Sequence, residues 1–275
     1  MNDKKTVGFM LFESYLQRKN IGSSRIRGRW LIESMPEAEA FVQGKIYDTI
    51  IFQKVYWKEM ARAFQGKKIL DICDPDWLDG FELVSFLKEM DAVTVPTQTL
   101  KEAISKFTDK PIFVIQDRVK MADMNPPKHH EGDAKKVVWF GYSHNSDVLD
   151  GTLMTLKKMG LTLKVVSDGT YMTSECKVEN VKWDALTWQD EIQSADICLL
   201  PEKLSGRAKY KSQNKTHQAW ALGMPVAKTV ADLEQFMDGG ERQKESEKNF
   251  QWMVDYGDVS KSVDEMREVI KSITK

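Results

Sequence analysis

Asp196-Ile-Cys-Leu-Leu-Pro201, followed by Lys211-Ser-Gln-Asn-Lys-Thr-His-Gln-Ala-Trp-Ala-Leu-Gly-Met-Pro-Val226, is the stretch whose reading decides the fold of this 275-residue chain. Ile197 to Leu200 is short and apolar, as in a parallel strand covered on both faces, and Pro201 ends it. The loop beyond carries Lys203, Arg207, Lys209 and Lys211. Open α/β sheets bind ligands at the carboxyl ends of their strands, so this basic loop is where a ligand is expected. Ser212 or Asn214 is expected to cap the helix that follows, whose free N–H groups, with Lys211 and Lys215, suit a diphosphate. Gly223 is expected to end that helix and Pro225 to block its continuation, with a second strand starting at Pro225-Val226.

The spacing Lys215-x-x-Gln218-Ala-x-Ala-x-Gly223-x-Pro225-Val226 resembles the nucleotide-sugar site of GT-B glycosyltransferases of the retaining, glycosyltransferase-family-4-like type. Their usual form is Lys-x-x-Glu-x-x-Ala-x-Gly-x-Pro-Val. Gln218 stands where that family has a Glu bonding the ribose hydroxyls, and an amide accepts and donates there without bringing charge. The resemblance implies an α/β chain of two Rossmann-like domains with parallel sheets, facing each other across a cleft. It implies transfer of a sugar from a nucleotide-diphosphate sugar, a UDP-sugar first, to a hydroxyl acceptor without metal. Donor binding then falls to Gly141, Tyr142, Ser143, His144, Arg207, Lys209, Lys211, Asn214, Lys215 and Gln218. Lys215 would also act in catalysis by neutralising the departing diphosphate.

The remainder alternates strand and helix, which implies parallel sheets. Thr6 to Phe12 reads as a strand, then Gly22-Ser-Ser-Arg-Ile-Arg-Gly-Arg-Trp-Leu31 as a glycine- and serine-opened turn into a helix. Gly22, Ser23, Ser24, Arg25 and Arg27 form either an acceptor or phosphate loop, as the resemblance implies, or a solvated basic turn. Asp48 to Gln53 is a strand, Trp57 to Phe64 a helix, and Lys68 to Cys73 a strand ending in Asp74-Pro-Asp76-Trp77. Asp74 and Asp76 are either catalytic groups on the acceptor side or a polar turn with a helix cap. Ala92 to Thr97 with Leu100 to Phe107 is strand then helix, capped by Thr97 or Thr99, and Pro111 to Asp117 is a further strand.

An N-terminal acceptor domain over 1–125 is therefore expected, then a linker over 126–136. His129 and His130 lie in that polar linker, where solvated side chains are the expectation. Val137-Val-Trp-Phe-Gly141 reopens the strand pattern and starts a nucleotide-sugar domain over 137–258. Within it, Leu149 to Met159 reads as an amphipathic helix, Thr162 to Ser167 as a strand, and Thr187 to Ala195 as a helix capped by Thr187 with Glu191 nearby. Gly239 to Asn249 is charged with helical spacing. The helix stripe Val263, Met266, Val269, Ile270 and Ile273 belongs to a terminal segment, 259–275, which either crosses back to the N-terminal domain, as the resemblance implies, or stays on its own.

A net charge of −1 gives no field for tight nucleic-acid binding, so nucleic acid enters only as an acceptor, a modified base in DNA for instance. Cys73, Cys176 and Cys198 lie far apart with no C-x-x-C pair, which points to reduced thiols and a cytoplasmic protein. No apolar run approaches the ~18 residues of a membrane span. Neither G-x-G-x-x-G nor a Walker A motif occurs, which weighs against a dehydrogenase or a nucleotide hydrolase. The rival class is a binding or scaffold protein that keeps the fold without transfer. Asp74-Pro-Asp76 also has the D-x-D form of a metal site, but Pro75 and the layout argue against it, so no metal or cofactor is expected.

Overall fold

Short β-branched and apolar runs form the central strands of the structure, a computed structural model that describes residues 6–18, 20–203 and 206–274. The chain divides into two units, Met1–Lys120 with Ser205–Ser212 and Asp258–Lys275, and Met121–Leu204 with Gln213–Gly257.

The first unit holds β1 (Val7–Leu11), β2 (Ala38–Ala40), β3 (Thr49–Gln53), β4 (Lys67–Asp71), β5 (Ala92–Val95) and β6 (Ile112–Val114). They pair in the order β2-β1-β3-β4-β5-β6, all parallel, with Ile51 of β3 between Phe9 and Ile69. The central strands are apolar on both faces, and Ile50, Ile51, Ile69 and Leu70 are fully buried. β2 and β3 lie on opposite sides of β1, so strand order reverses between β1 and β3. The carboxyl ends Leu11-Phe12 and Gln53-Lys54 flank that switch point, where doubly wound sheets take their ligands.

Gly22–Ser34 is helical, with a π-helical turn over Arg25–Arg29. β6 is shorter than the strand expected over 111–117. Ile115 still donates to Val95, but its carbonyl oxygen turns to the Arg27 guanidinium, and the ladder stops. Of the two expected caps, Thr97 rather than Thr99 caps the helix Gln98–Ile104, accepting from the Leu100 N–H. The helix Val259–Thr274 belongs to this unit, where Val259 donates to the Val119 carbonyl and Arg118 grips Glu265 through both terminal nitrogens, at 2.6 and 2.7 Å.

The second unit holds β7 (Lys136–Phe140), β8 (Thr162–Ser167), β9 (Val178–Lys182), β10 (Ile197–Leu199) and β11 (Val226–Ala227), ordered β11-β10-β7-β8-β9 and again all parallel. Its order reverses between β7 and β10, which sets Phe140-Gly141 beside Leu200-Pro201-Glu202 at the carboxyl edge of the sheet, where open α/β sheets take ligands. Residues 126–136 run along this unit, held by Lys128 on the Gln193 and Ala195 carbonyls. The fully buried Arg242 donates to the carbonyls of Phe236, Met237, Glu131 and Gly132.

Four local expectations in this unit are corrected, the first at His130, which is buried rather than solvated, its ring Nε2 2.7 Å from the Gly223 carbonyl oxygen. Over residues 149–159, expected to be one helix, only Leu153–Met159 is α-helical. Ser143–Thr152 winds as a 3₁₀ helix, since Gly151 is a weak helix former and Thr152 bonds the Leu149 carbonyl. Thr187 makes no side-chain cap, and Glu191 is drawn instead to Lys164. The helix Asn214–Ala221 starts from Gln213 with no side-chain cap at all, because Ser212 in the first unit spends its hydroxyl on Asp117. Gly223, at φ 68°, takes the left-handed turn that closes this helix.

Candidate donor and acceptor sites

In the second unit, the helix Asn214–Ala221 follows β10 and leads to β11, so its N-terminal turn opens at the carboxyl edge of the sheet. Its first turn carries Lys215. The ammonium lies over the indole of Trp139, 4.8 Å from the ring centroid. A Cβ on Gly141 would stand 2.7 Å from Lys215 Nζ, and Gly141 has φ 153°, a conformation side chains rarely adopt. Glycine is what lets the lysine rest against the end of β7. A positive charge at a helix start, beside a bare glycine, is an arrangement whose chemistry suits an anion.

Around it, Gln218 is buried and donates to the Asn214 carbonyl at 3.2 Å, one turn back. Tyr142 is exposed and stacks on His144, with ring centroids 5.7 Å apart. The Ser143 N–H donates to Asp168 Oδ1 at 2.7 Å, a bond that holds Asp168 below the usual carboxylate range and fixes the loop after β7. Glu202, Gln213 and Lys228 belong to no motif and were not singled out from the sequence. Glu202 accepts from Gln213 at 3.0 Å and from Lys228 at 2.6 Å, and these partners outweigh burial to keep it ionised.

The first unit gathers a second constellation at the carboxyl ends of β3 and β4. Lys54 Nζ contacts Asp74 Oδ2 at 2.6 Å and Asp76 Oδ1 at 3.3 Å, and sits 5.2 Å from the centre of the Phe12 ring. Tyr56 donates its hydroxyl to Asp76 Oδ2 at 2.8 Å. The short helix Asp76–Asp79 receives no side-chain cap, so Asp74 and Asp76 serve this network rather than capping. Their environments differ. Burial pushes Asp74 upward, but Lys54 overrules it and holds the carboxyl below its ordinary value. For Asp76, almost fully buried, desolvation dominates over Lys54 and Tyr56, and its pKa is raised. Burial and the facing Asp76 carboxylate likewise drive the Tyr56 phenol well up.

Lys54 has φ 53°. A left-handed backbone on a residue other than glycine costs about 1–2 kcal/mol, and such strain clusters at functional sites. Lys54 and Tyr56 escaped the sequence reading; their two-residue spacing past a strand end, matching that of Asp74 and Asp76, was the only signal available.

The loop residues expected to act together are separated by burial. Arg27 is buried, with Nε and Nη2 on Asp71 (2.9 and 2.6 Å) and Nη1 on Asp117 (2.6 Å) and the Ile115 carbonyl. Burial opposes its charge, but Asp71 and Asp117 raise its pKa above the ordinary value. Ser24 is also buried, donating to Gln53 and accepting from the Glu13 N–H, while Gly22, Ser23 and Arg25 are half-buried. Arg207, Lys209 and Lys211 fall in the first unit. Arg207 pairs with Asp79, Lys209 lies over Tyr210, and Tyr210 packs edge-on against Trp77 with centroids 5.5 Å apart. Lys211 and Arg207 add weaker positive fields at Asp74.

The chain has the fold of the GT-B glycosyltransferases, nucleotide-sugar enzymes built on two parallel α/β sheets. Among solved structures of this fold, it aligns with the DNA-modifying β-glucosyltransferase studied with and without uridine diphosphoglucose, at TM-score 0.63 and 12% identity, over 96% of this chain and 99% of that one. It also aligns with the apo lipopolysaccharide outer core galactosyltransferase WaaB, at TM-score 0.61 and 12% identity, over 97% and 99%. TarM matches at TM-score 0.60 and 11% identity over 87% of this chain, which spans only 56% of TarM. No protein-family model matches the sequence, and no curated protein matches it.

Proposed function

We propose that this chain moves a sugar from a nucleoside diphosphate sugar to a hydroxyl acceptor. The observation that carries the reading is Lys215, seated against Gly141 at the switch point of the second sheet and at the head of the helix Asn214–Ala221. That arrangement offers a diphosphate a fixed ammonium and a helix N-terminus, and stabilising the charge that develops on the leaving group is the main task in such a transfer. Gln218 meets the ribose as an uncharged donor and acceptor. Tyr142, Ser143 and His144 border the sugar. The likeness to a β-glucosyltransferase whose substrate is uridine diphosphoglucose, and to a galactosyltransferase, supports a UDP-hexose donor.

On the acceptor side, Asp74 is the reachable carboxylate. Its side chain is 27% exposed against 3% for Asp76, and its depressed pKa keeps it ionised. A weakly basic, ionised carboxylate orients a hydroxyl by accepting its hydrogen bond. The configuration at the anomeric carbon is retained in this proposal, as in the family the Lys215 motif resembles. NMR of the product anomer tests that point. The reaction needs no metal, and the setting is cytoplasmic, in keeping with three free thiols.

The second reading is a nucleotide-sugar-binding protein without transfer, favoured by Gln218 in place of a charged ribose ligand. A thermal-shift screen of nucleotide sugars, followed by nucleoside diphosphate release with glycan, small-molecule and modified-base DNA acceptors, separates the two. Ligand binding to the folded state raises its melting temperature by mass action. Stabilisation by a UDP-sugar with acceptor-dependent release supports transfer. Stabilisation with no release across the panel supports the binding reading.

A further inference from the structure

Lys54 occupies a place in the first unit that neither packing nor backbone preference explains. It follows the last residue of β3 at the switch point, in a left-handed conformation that glycine or asparagine adopts more easily. Its side chain is only 12% exposed, its N–H donates to the Asp71 carbonyl, and its ammonium reaches back over Phe12 to span two carboxylates. Asp76 is committed on both oxygens, to Tyr56 and to Lys54. Asp74 differs. Among the described residues, its side-chain hydrogen bonds, from Lys54 and from the Cys73 thiol, both fall on Oδ2. Oδ1 is left to accept from an incoming group.

We infer that Lys54 is a positioning residue of the acceptor site: it clamps Oδ2 of Asp74 and so presents Oδ1 to the acceptor hydroxyl. This rests on the transferase reading of the same site. The groups that face Asp74 are Lys54 from the end of β3, Tyr56 beyond it, and Cys73 and Asp76 from its own turn. Asp79, Arg207 and Lys211 add to them from the adjoining segments. Among the described residues, Lys54 is the one cation in direct contact with Asp74, and Arg207 is itself held by Asp79. Loss of the ammonium leaves Asp74 beside Asp76 and Cys73 with burial unopposed at close range. Its proton is then held more tightly.

The test is a carbon-detected NMR titration of the Asp74 carboxyl in the unaltered protein, Lys54→Met and Lys54→Arg, with the pH dependence of kcat measured alongside. The unaltered protein and Lys54→Arg are expected to titrate below the ordinary carboxylate range. Lys54→Met should titrate at least one pH unit higher, shift the acid limb of the kcat profile upward with it, and leave affinity for UDP unchanged. A Lys54 that served stability alone would lower the melting temperature and move neither titration nor profile, and that result overturns the inference. If Lys54→Met does not fold, an ordinary Asp74 midpoint in the unaltered protein overturns it equally. The NMR midpoint needs no turnover. Absence of transfer with every nucleotide sugar would therefore remove the transferase reading while leaving the clamp itself measurable.

Discussion

Lys215 lies on the indole face of Trp139, with its ammonium 4.8 Å from the ring centroid, in the space a side chain at Gly141 would fill. This contact holds a flexible side chain at the end of β7 before any ligand arrives. A charge-assisted hydrogen bond to phosphate contributes about 1.5–3 kcal/mol, so Lys215→Ala is expected to weaken UDP binding by roughly 10- to 150-fold with little change in melting temperature. Calorimetry with UDP checks it. Unchanged affinity would remove Lys215 from the donor site.

Gly141→Ala tests the same contact from the other side. The added methyl meets Lys215 Nζ at 2.7 Å, and the end of a flexible side chain yields. The lysine is pushed off its seat while its charge remains. Weaker UDP binding than in the parent, though stronger than in Lys215→Ala, is the expected order. Because φ is 153°, the variant also carries backbone strain of about 1–3 kcal/mol, which thermal denaturation should register.

Arg27 and its two carboxylates set a different expectation. Removing one member of a buried ionic group leaves the others charged and unpaired, at about 3–5 kcal/mol. Arg27→Met should therefore destabilise the protein by that amount in chemical denaturation. Arg25→Ala, which removes a half-buried guanidinium 5.5 Å from the Trp30 ring centre, should cost far less. Equal losses would mean that the Asp71 and Asp117 pairs do not hold Arg27 as the geometry shows.

The strand-and-helix alternation was legible because buried parallel strands are short apolar runs bounded by turn residues, and a threonine cap was legible before the helix, though the choice between Thr97 and Thr99 needed the helix start at Gln98. The stretch from Lys215 to Val226 was legible as a helix, a glycine stop and a strand start because those signals are local in sequence. What failed to show was whatever depends on distant pairing. Arg27 looks like any arginine in a glycine- and serine-rich loop until Asp71 and Asp117, 44 and 90 residues away, close on it. Ser212 looked like a cap, and its hydroxyl goes to Asp117, 95 residues back. Lys54 is invisible for a further reason: its meaning lies in a backbone dihedral and in a partner beyond the next helix.

Metal dependence bears directly on Asp74 and Asp76. Among the described residues, no three His, Cys, Asp or Glu side chains gather as a metal-holding group, and Lys54 already occupies the space between these two carboxylates. Transfer is expected to persist after exhaustive chelation. Loss of activity restored by manganese or magnesium would show that a cation displaces Lys54 from the pair.

Asp74→Asn and Asp76→Asn should separate in stability by the direction of their pH dependence. The folded-state pKa of Asp74 is depressed, so its ionisation favours the fold. That contribution is fully present above the unfolded value of about 3.9 and disappears as pH falls through the lower folded value. The advantage of the parent over Asp74→Asn should therefore shrink on acidification. Asp76 has the opposite sign, since its folded-state pKa is raised by burial. Here the proton favours the fold, and stability is lost as pH rises from the unfolded value through the folded one. The difference between parent and Asp76→Asn should accordingly move against Asp76 as pH rises across that window. Melting temperatures of the three proteins from about pH 3 to pH 7 give both slopes, and slopes of the same sign would contradict the assigned environments. In transfer assays at neutral pH, Asp74→Asn should keep UDP affinity and lose at least about tenfold in kcat, some 1.4 kcal/mol of barrier. Asp76→Asn should lose rate only as far as Lys54 and Tyr56 move. If Asp74→Asn transfers at the parental rate, the acceptor hydroxyl does not meet that carboxylate.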